Sequence, residues 1–253
     1  MVWLIPTQGP AWAQAVDLGT ASGFGVLGAS AVTNTGATVV NGDLGISPND
    51  GSWVTGFPPG VVLGTTHFAD AVALQAQNDL TSAYNDLAGR ACDTVISADL
   101  GGMVLTPGVY CSASSMGLTG TLTLDAQNDP NAVFIFQMGS TLTTISGASV
   151  NLINGGQSCN VYWQVGSSAT LGTGSGFIGS ILAQADISAA TGASSRGGLL
   201  ARTGAVTLDG NAISNCVPIL SVAKSVSPNP VITGTSAVYT VVVSNEASDV
   251  STQ

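Results

Sequence analysis

The histidine at position 67 is the only one in the chain, so any catalytic reading has to begin there. A Ser-His-Asp arrangement needs the imidazole as base, with a nucleophile and an orienting carboxylate beside it. His67 instead opens a helical pattern in Thr65-Thr66-His67-Phe68, where a surface or capping role accounts for it. Glycoside hydrolysis needs two carboxylates across one bond. No Glu precedes Glu246, and Asp125 and Asp129 belong to a turn-like stretch around Gln127-Asn128-Asp129-Pro130-Asn131. A solenoid lyase would want a basic residue or calcium carboxylates in its groove. No Lys precedes Lys224, and the calcium-binding G-G-x-G-x-D repeat is absent. The residues therefore point away from an enzyme and from any cofactor or bound metal.

Cys92, Cys111, Cys159 and Cys216 lack the C-x-x-C spacing of zinc or redox sites. An even count in an exported chain favours two disulfides, paired by proximity as Cys92–Cys111 and Cys159–Cys216; buried free thiols are the alternative. Export is suggested by residues 1–13, MVWLIPTQGPAWA, which resemble the tail of a signal peptide. Ala11-Trp12-Ala13 fits the cleavage pattern, so the mature chain would begin at Gln14. A secreted or cell-surface location follows.

Composition narrows the partners. Only 7% of the 253 residues are charged, against ~25% in an ordinary domain. Lys+Arg number 4 against 14 Asp+Glu, a net charge of −10. Such a chain has no electrostatic footprint for nucleic acid phosphates or anionic lipid. No run of 18 apolar residues exists to span a membrane. The expected form is a monomer, or one part of a larger surface protein.

The elements that must carry the chemistry are short. Between Val161 and Leu208, Gly179-Ser180-Ile181-Leu182-Ala183 returns eighteen residues later as Gly197-Gly198-Leu199-Leu200-Ala201. Short apolar runs at that period, punctuated by Gly, describe a β-solenoid coil. Thr35–Leu44 aligns without a gap on Thr191–Leu200, so the 18–47 strands should contact the 170–208 coils, out of sequence order. Residues 48–64 read as a loop, with Pro48, Pro58 and Pro59. Val72, Ala73, Ala76, Leu80, Ala83, Tyr84 and Leu87 form the one apolar stripe at helical spacing. It predicts a helix over 66–88, capped by Thr65 or Thr66 and ended at Gly89, lying along the solenoid axis. Cys92 to Ser115 reads as an irregular cap. Ala132–Phe136 reads as a strand covered on both sides. The domain runs over 14–217. Residues 218–253 resemble the start of an immunoglobulin-like repeat of exported surface proteins, cut short.

Rows of Thr and Ser remain. Thr suits strands and solubility on its own. Side chains at i and i+2 stand ~6.7 Å apart along a strand, and coils repeat at ~4.8 Å. Both spacings fall close to repeats in the ice lattice. Thr35-Gly36-Ala37-Thr38 with Asn41-Gly42-Asp43-Leu44-Gly45, Asp129 through Gln137, Trp163 through Gly172, and Ala201 through Asp209 together resemble the microbial ice-binding proteins. The resemblance covers about residues 15–215. It implies a mostly β, triangular, discontinuous β-solenoid with one long helix alongside, no catalysis, and ice as the partner. Some members carry T-A/G-x-T/N motifs on the ice-binding face. Thr35-Gly36-Ala37-Thr38 fits fully; Thr191-Gly192-Ala193-Ser194 and Ser146-Gly147-Ala148-Ser149 fit with Ser for Thr; Thr173-Gly174-Ser175-Gly176 lacks the last hydroxyl. With the outward Thr121, Thr123 and Thr143, the candidate contacts are Thr35, Thr38, Thr121, Thr123, Thr143, Ser146, Ser149, Thr173, Thr191 and Ser194. The competing expectation is a surface-adhesion module, favoured if the exposed face carries aromatic or charged patches. A carbohydrate-active solenoid stands third.

Overall fold

The computed structural model describes residues 14–97, 99–216, 220–227 and 238–245. The signal-peptide segment 1–13 lies outside the described residues. Three parallel sheets form a three-sided solenoid: sheet A has nine strands, sheet B seven and sheet C eight. The chain enters the stack one coil short of one end. Phe24–Gly28 (A), Val32–Thr35 (B) and Val39–Asn41 (C) make one circuit. Asp43–Ile46 (A), Val54–Thr55 (B), Val61–Val62 (C) and Thr66–Phe68 (A) finish at one end. Helix α1, Ala71–Gly89, then carries the chain back past its own start to the other end. From Thr94–Val95 the coils climb until Leu199–Ala201, Val206–Asp209 and Ala212–Ser214 dock on the first circuit. The registers there are Leu27↔Leu200, Thr33↔Thr207 and Val40↔Ile213. The N-terminal strands thus contact the last coils, as the repeat implies.

The eighteen-residue period is literal in the later coils, where Ile181 stacks on Leu199 and Trp163 on Ile181. Aliphatic side chains fill the last of these short coils. An aromatic stack of Tyr110, Phe136, Trp163 and Phe177 runs through the longer coils into the first eighteen-residue one, with the Phe136 and Trp163 centroids 3.9 Å apart.

Sheet A is covered. Ala76, Leu80, Ala83, Tyr84 and Leu87 of α1 pack on Leu27, Leu200, Leu182, Tyr162, Ile135 and Val109, one residue from each of six neighbouring strands. The match is geometric. A helix of 19 residues at ~1.5 Å per residue is as long as six strands at ~4.8 Å. Val133 and Ile135 face the helix while Phe134 and Phe136 face the interior, so that strand is covered on both sides as its sequence suggests. Amides pin the contact: Gln77 Nε2 donates to the Gly28 carbonyl at 3.0 Å, and Gln137 Nε2 to the Arg90 carbonyl at 2.9 Å. Tyr162 donates to the Val16 carbonyl, and burial pushes its phenol up to about 12.

Four expectations change. The helix begins at Ala71, not 66, and its cap is Asp70, which accepts from the Ala73 N–H at 2.8 Å. Thr66–Phe68 is instead a strand paired with Leu44–Ile46. The 48–64 loop and the 92–115 cap each contain strands that close the two ends of the solenoid. Terminal strands such as Val54–Thr55, Val61–Val62, Thr94–Val95 and Val104–Leu105 have two residues each, too short to template another chain. Cys92 and Cys111 are bridged across that second end, with Cα atoms 6.0 Å apart. The other expected pair is brought into contact, the Cys159 Sγ lying 2.7 Å from the Cys216 carbonyl oxygen. Peptide mapping without reductant is expected to recover residues 159 and 216 in one linked peptide. Beyond the solenoid, Leu220–Ser227 and Val238–Asn245 pair antiparallel; the rest of 217–253 lies outside the described residues.

Candidate functional site

With sheet A under the helix, sheets B and C are the open faces. Sheet B is built from strands of two to four residues that read in–out–in. Leu142, Ala169, Ile187, Val206 and Val32 are buried, as are Leu171, Ala189 and Leu208. The residue between points outward. Register aligns these outward positions into one row across all seven strands: Gly117, Thr143, Thr170, Ser188, Thr207, Thr33, Thr55. Branching at Cβ holds each Thr methyl and hydroxyl in few rotamers. The row crosses the chain discontinuity without a break, Thr33 Oγ1 donating to Thr207 Oγ1 at 3.3 Å. A second row precedes it, Thr141, Ser168, Asp186, Ala205 and Ala31, stacked through successive backbone bonds. Ser115 and Thr141 share a hydroxyl bond of 2.8 Å in it. Trp53 stands exposed at the end of that row.

Acidic groups on this side are tied to the protein. Asp186 Oδ1 accepts from the Ala205 N–H at 2.7 Å. Asp209 accepts from Thr191 and, at 2.9 Å, from Thr35. Those two hydroxyl bonds hold its carboxyl below the usual carboxylate range.

The T-G-x-S/T motifs lie at the corner between sheets B and C. Each places its glycine at positive φ: Gly36 at 79°, Gly147 at 70°, Gly174 at 64° and Gly192 at 70°. That conformation is costly for any residue with a Cβ, which explains the repeat structurally. The expected contacts accordingly scatter. Thr143 sits in the sheet B row, and Thr35 ends a sheet B strand. Ser146, Thr173 and Thr191 are exposed on the corner. Thr121, Thr123, Ser149 and Ser194 belong to sheet C. Thr38 is a correction: it is 0% exposed. Thr35 pairs with Asp209 and Val39 with Ala212, so this corner carries one residue more than its neighbour. The extra residue turns Thr38 inward, where it donates to Asn34 Oδ1 at 2.5 Å and accepts from the Asn211 N–H at 3.0 Å.

Sequence reading missed Thr33, Thr55, Thr170, Ser188 and Thr207. The signal was a hydroxyl flanked by two buried apolar residues, as in Ala169-Thr170-Leu171, Ile187-Ser188-Ala189 and Val206-Thr207-Leu208. The other candidates carry structural work. His67 Nδ1 is 2.8 Å from Asp70 Oδ2, and its Nε2 is 3.9 Å from Asp43. Asp125 accepts from Asn154 at 2.7 Å and Asp129 from the Asn131 N–H at 2.9 Å; each shapes a turn. Among the described residues, no group of His, Cys, Asp and Glu could hold a metal ion, and no helix is long and apolar enough to cross a membrane.

A discontinuous three-sided solenoid, one sheet buttressed by a helix and another bearing a hydroxyl row, defines a narrow class. The chain belongs to the Ice-binding-like family, which it matches over residues 26–214. It is 53% identical over 215 residues to an ice-binding protein of Nostoc sp. (strain HG1), covering 84% of this chain and 79% of that one. Among solved structures, an ice binding protein from an Antarctic biological consortium matches with a TM-score of 0.79 and 47% identity over 84% of this chain and 96% of its own. The ice-binding protein of the ascomycete Antarctomyces psychrotrophicus gives 0.77 and 43%, covering 80% and 98%.

Proposed function

We propose that the protein binds ice crystals through sheet B, inhibiting recrystallisation or depressing the freezing point. The unbroken outward row from Gly117 to Thr55 carries this reading. Outward methyls and hydroxyls repeat at ~4.8 Å across strands, on a parallel ladder that holds them in register. Water ordered over the methyls and anchored by the hydroxyls can then join the lattice. The reading involves no catalysis, and its hydroxyls act as static anchors rather than nucleophiles. The names of the relatives support it.

Within the same reading, the protein works outside the cell as a monomer or as a module of a larger surface protein. The Cys92–Cys111 bridge supports an oxidising location. The antiparallel pair after residue 219 would begin an immunoglobulin-like repeat. Of the sequence-derived contacts, Thr143 and Thr35 are kept as ice contacts, and Ser146, Thr173 and Thr191 as the rim of the face. The test is ice-affinity partition of the full chain. Enrichment in a growing ice front is expected, and exclusion from it would overturn the proposal.

A further inference from the structure

Beside helix α1, on the outer side of sheet A, lies a groove of about 460 Å³ that the ice reading does not use. Its origin is the diagonal path of the helix. Register places Leu27, Leu200, Leu182, Gln164, Gln137 and Cys111 in one outward column. The helix packs on the three leucines, then crosses to the preceding column at Tyr162, Ile135 and Val109. Gln164, Gln137 and Cys111 are left along its flank. The column thus changes from leucine to carboxamide where the helix leaves it.

The two amides are partly committed, which fixes what they still offer. Gln137 Nε2 gives its two hydrogens to the Leu87 and Arg90 carbonyls, so its Oε1 remains, as an acceptor. Gln164 Nε2 donates to Tyr84 Oη at 2.8 Å, and that phenol donates to the Val165 carbonyl at 3.3 Å. Gln164 is only 6% exposed, yet its Oε1 takes no bond within the described residues and is not sealed from solvent. Two amide oxygens and one spare N–H therefore border the groove, on neighbouring strands that repeat at ~4.8 Å. Its floor is the strip Ala113, Gly139 and Gly166 at the corner with sheet B. A Cβ on either glycine would collide with the carbonyl of the preceding coil, so the strip stays low.

We infer that this groove is a second binding site, for a neutral, extended β-1,4-linked glycan. The described residues that line it are uncharged, so it offers no counter-ion to an acidic or a cationic ligand. The chain's net charge of −10 further disfavours an acidic one. Sugar hydroxyls donate to the two amide oxygens and accept from the spare N–H without burying a charge. The low floor takes the C–H face of the ring. A β-1,4-linked chain is a flat ribbon whose rise per sugar is close to the strand spacing, so successive units meet successive amides. The volume lies within the range of small-ligand sites, ~300–1,000 Å³. The site is off sheet B, so a glycan-bound molecule keeps its ice face open, and the inference stands or falls independently of the ice reading.

The test is an NMR titration of the full chain with cellotetraose, against trigalacturonate and spermidine. Saturable shifts confined to Tyr84 and residues 111–113, 137–139 and 164–166 are expected with cellotetraose alone. Gln164→Leu installs the side chain that the column already carries at Leu182, and should weaken binding about tenfold while ice affinity stays unchanged. Ala113→Phe changes an exposed residue and breaks no side-chain bond. It should fill the groove and abolish glycan binding, and it decides the matter if Gln164→Leu folds poorly. No saturable response at millimolar cellotetraose would overturn the inference. So would equal binding of trigalacturonate or spermidine, or undiminished binding by either folded variant.

Discussion

Sheets B and C share the same coils, the same parallel pairing and a common corner, yet their outer surfaces diverge. The outward row of sheet B is Thr or Ser at six of its seven positions. The matching column of sheet C runs Thr123, Asn151, Ile178, Arg196, Ser214 and Asn41, mixed in size and charge, and its register breaks at Gly176. Coil length explains the difference. Stacked positions are 27 residues apart between Leu142 and Ala169 but 18 apart between Ala169 and Ile187. The surplus lies between sheets C and A, at 126–133 and 154–160, where the later coils have only Gly179 or Gly197-Gly198. The approach to sheet B takes three or four residues in every coil except the terminal one, where 47–53 intervene. A repeating surface survives on the side where coil length varies least.

The sharpest way to break this contrast is to place equal bulk on each face. Thr170→Tyr raises one point of sheet B and lifts the plane from the lattice. Thermal hysteresis should fall to a tenth or less. Thr123→Tyr on sheet C should keep most of the activity. Exposed substitutions cost within about ±0.5 kcal/mol, so both variants should melt within about 2 °C of the parent. Equal loss in the two would mean that flatness of sheet B is not what binds ice.

A smaller effect is expected at the corner. An added Cβ at Gly192 meets nothing within 4 Å, but φ is +70°. Strain alone therefore decides the cost of Gly192→Val, about 1–2 kcal/mol, which lowers the melting temperature by roughly 2–8 °C. Hysteresis should drop partly, because Thr191 and Asp209 shift with the corner. Gly176→Val has no such strain and should melt like the parent. If the two variants melt alike, positive φ is not why the motif keeps its glycine.

How much of this was legible follows from the same geometry. The period, the discontinuity and the helix face are written locally, in repeats such as Gly179–Ala183 and Gly197–Ala201 and in the stripe ending at Leu87. The hydroxyl row of sheet B was not. Thr33 and Thr207 become neighbours only through a register that spans 174 residues of sequence, and Ser188 joins them from the adjoining coil. The most conspicuous local motif, Thr35-Gly36-Ala37-Thr38, marks a corner, and one extra residue there buries its second Thr. Motif spelling shows where the backbone must turn; which side chains share a plane depends on stacking.

A finer test separates methyl from hydroxyl within the row. Thr207→Val keeps the branched shape and removes the bond to Thr33. Both groups face solvent, so stability should change by about 0.5 kcal/mol or less. Hysteresis should fall two- to threefold, well short of the loss in Thr170→Tyr. A loss as complete as the tyrosine variant would shift the explanation from flatness to that single hydroxyl.

The smallest effect expected is that of pH, and its sign can be worked out. Asp209, beside sheet B, is held below the usual carboxylate range by bonds from Thr191 and Thr35. Asp125, on sheet C, is lowered by bonds from Asn154 and the Gln127 N–H. A depressed folded pKa means a contribution fully present above the unfolded value, near ~4. It is lost as pH falls through the folded value. Melting temperature and hysteresis should therefore be level from pH 8 to 5 and decline only in stronger acid. Both carboxylates lie at the surface and are half-buried, where solvent screens them, so the decline should be shallow. Asp209→Asn should flatten the acid side of the hysteresis profile, whereas Asp125→Asn should leave it unchanged, since that carboxylate braces the other sheet. A fall in hysteresis between pH 8 and 5 would break the contrast, because the bracing of sheet B would then depend on a group other than these aspartates.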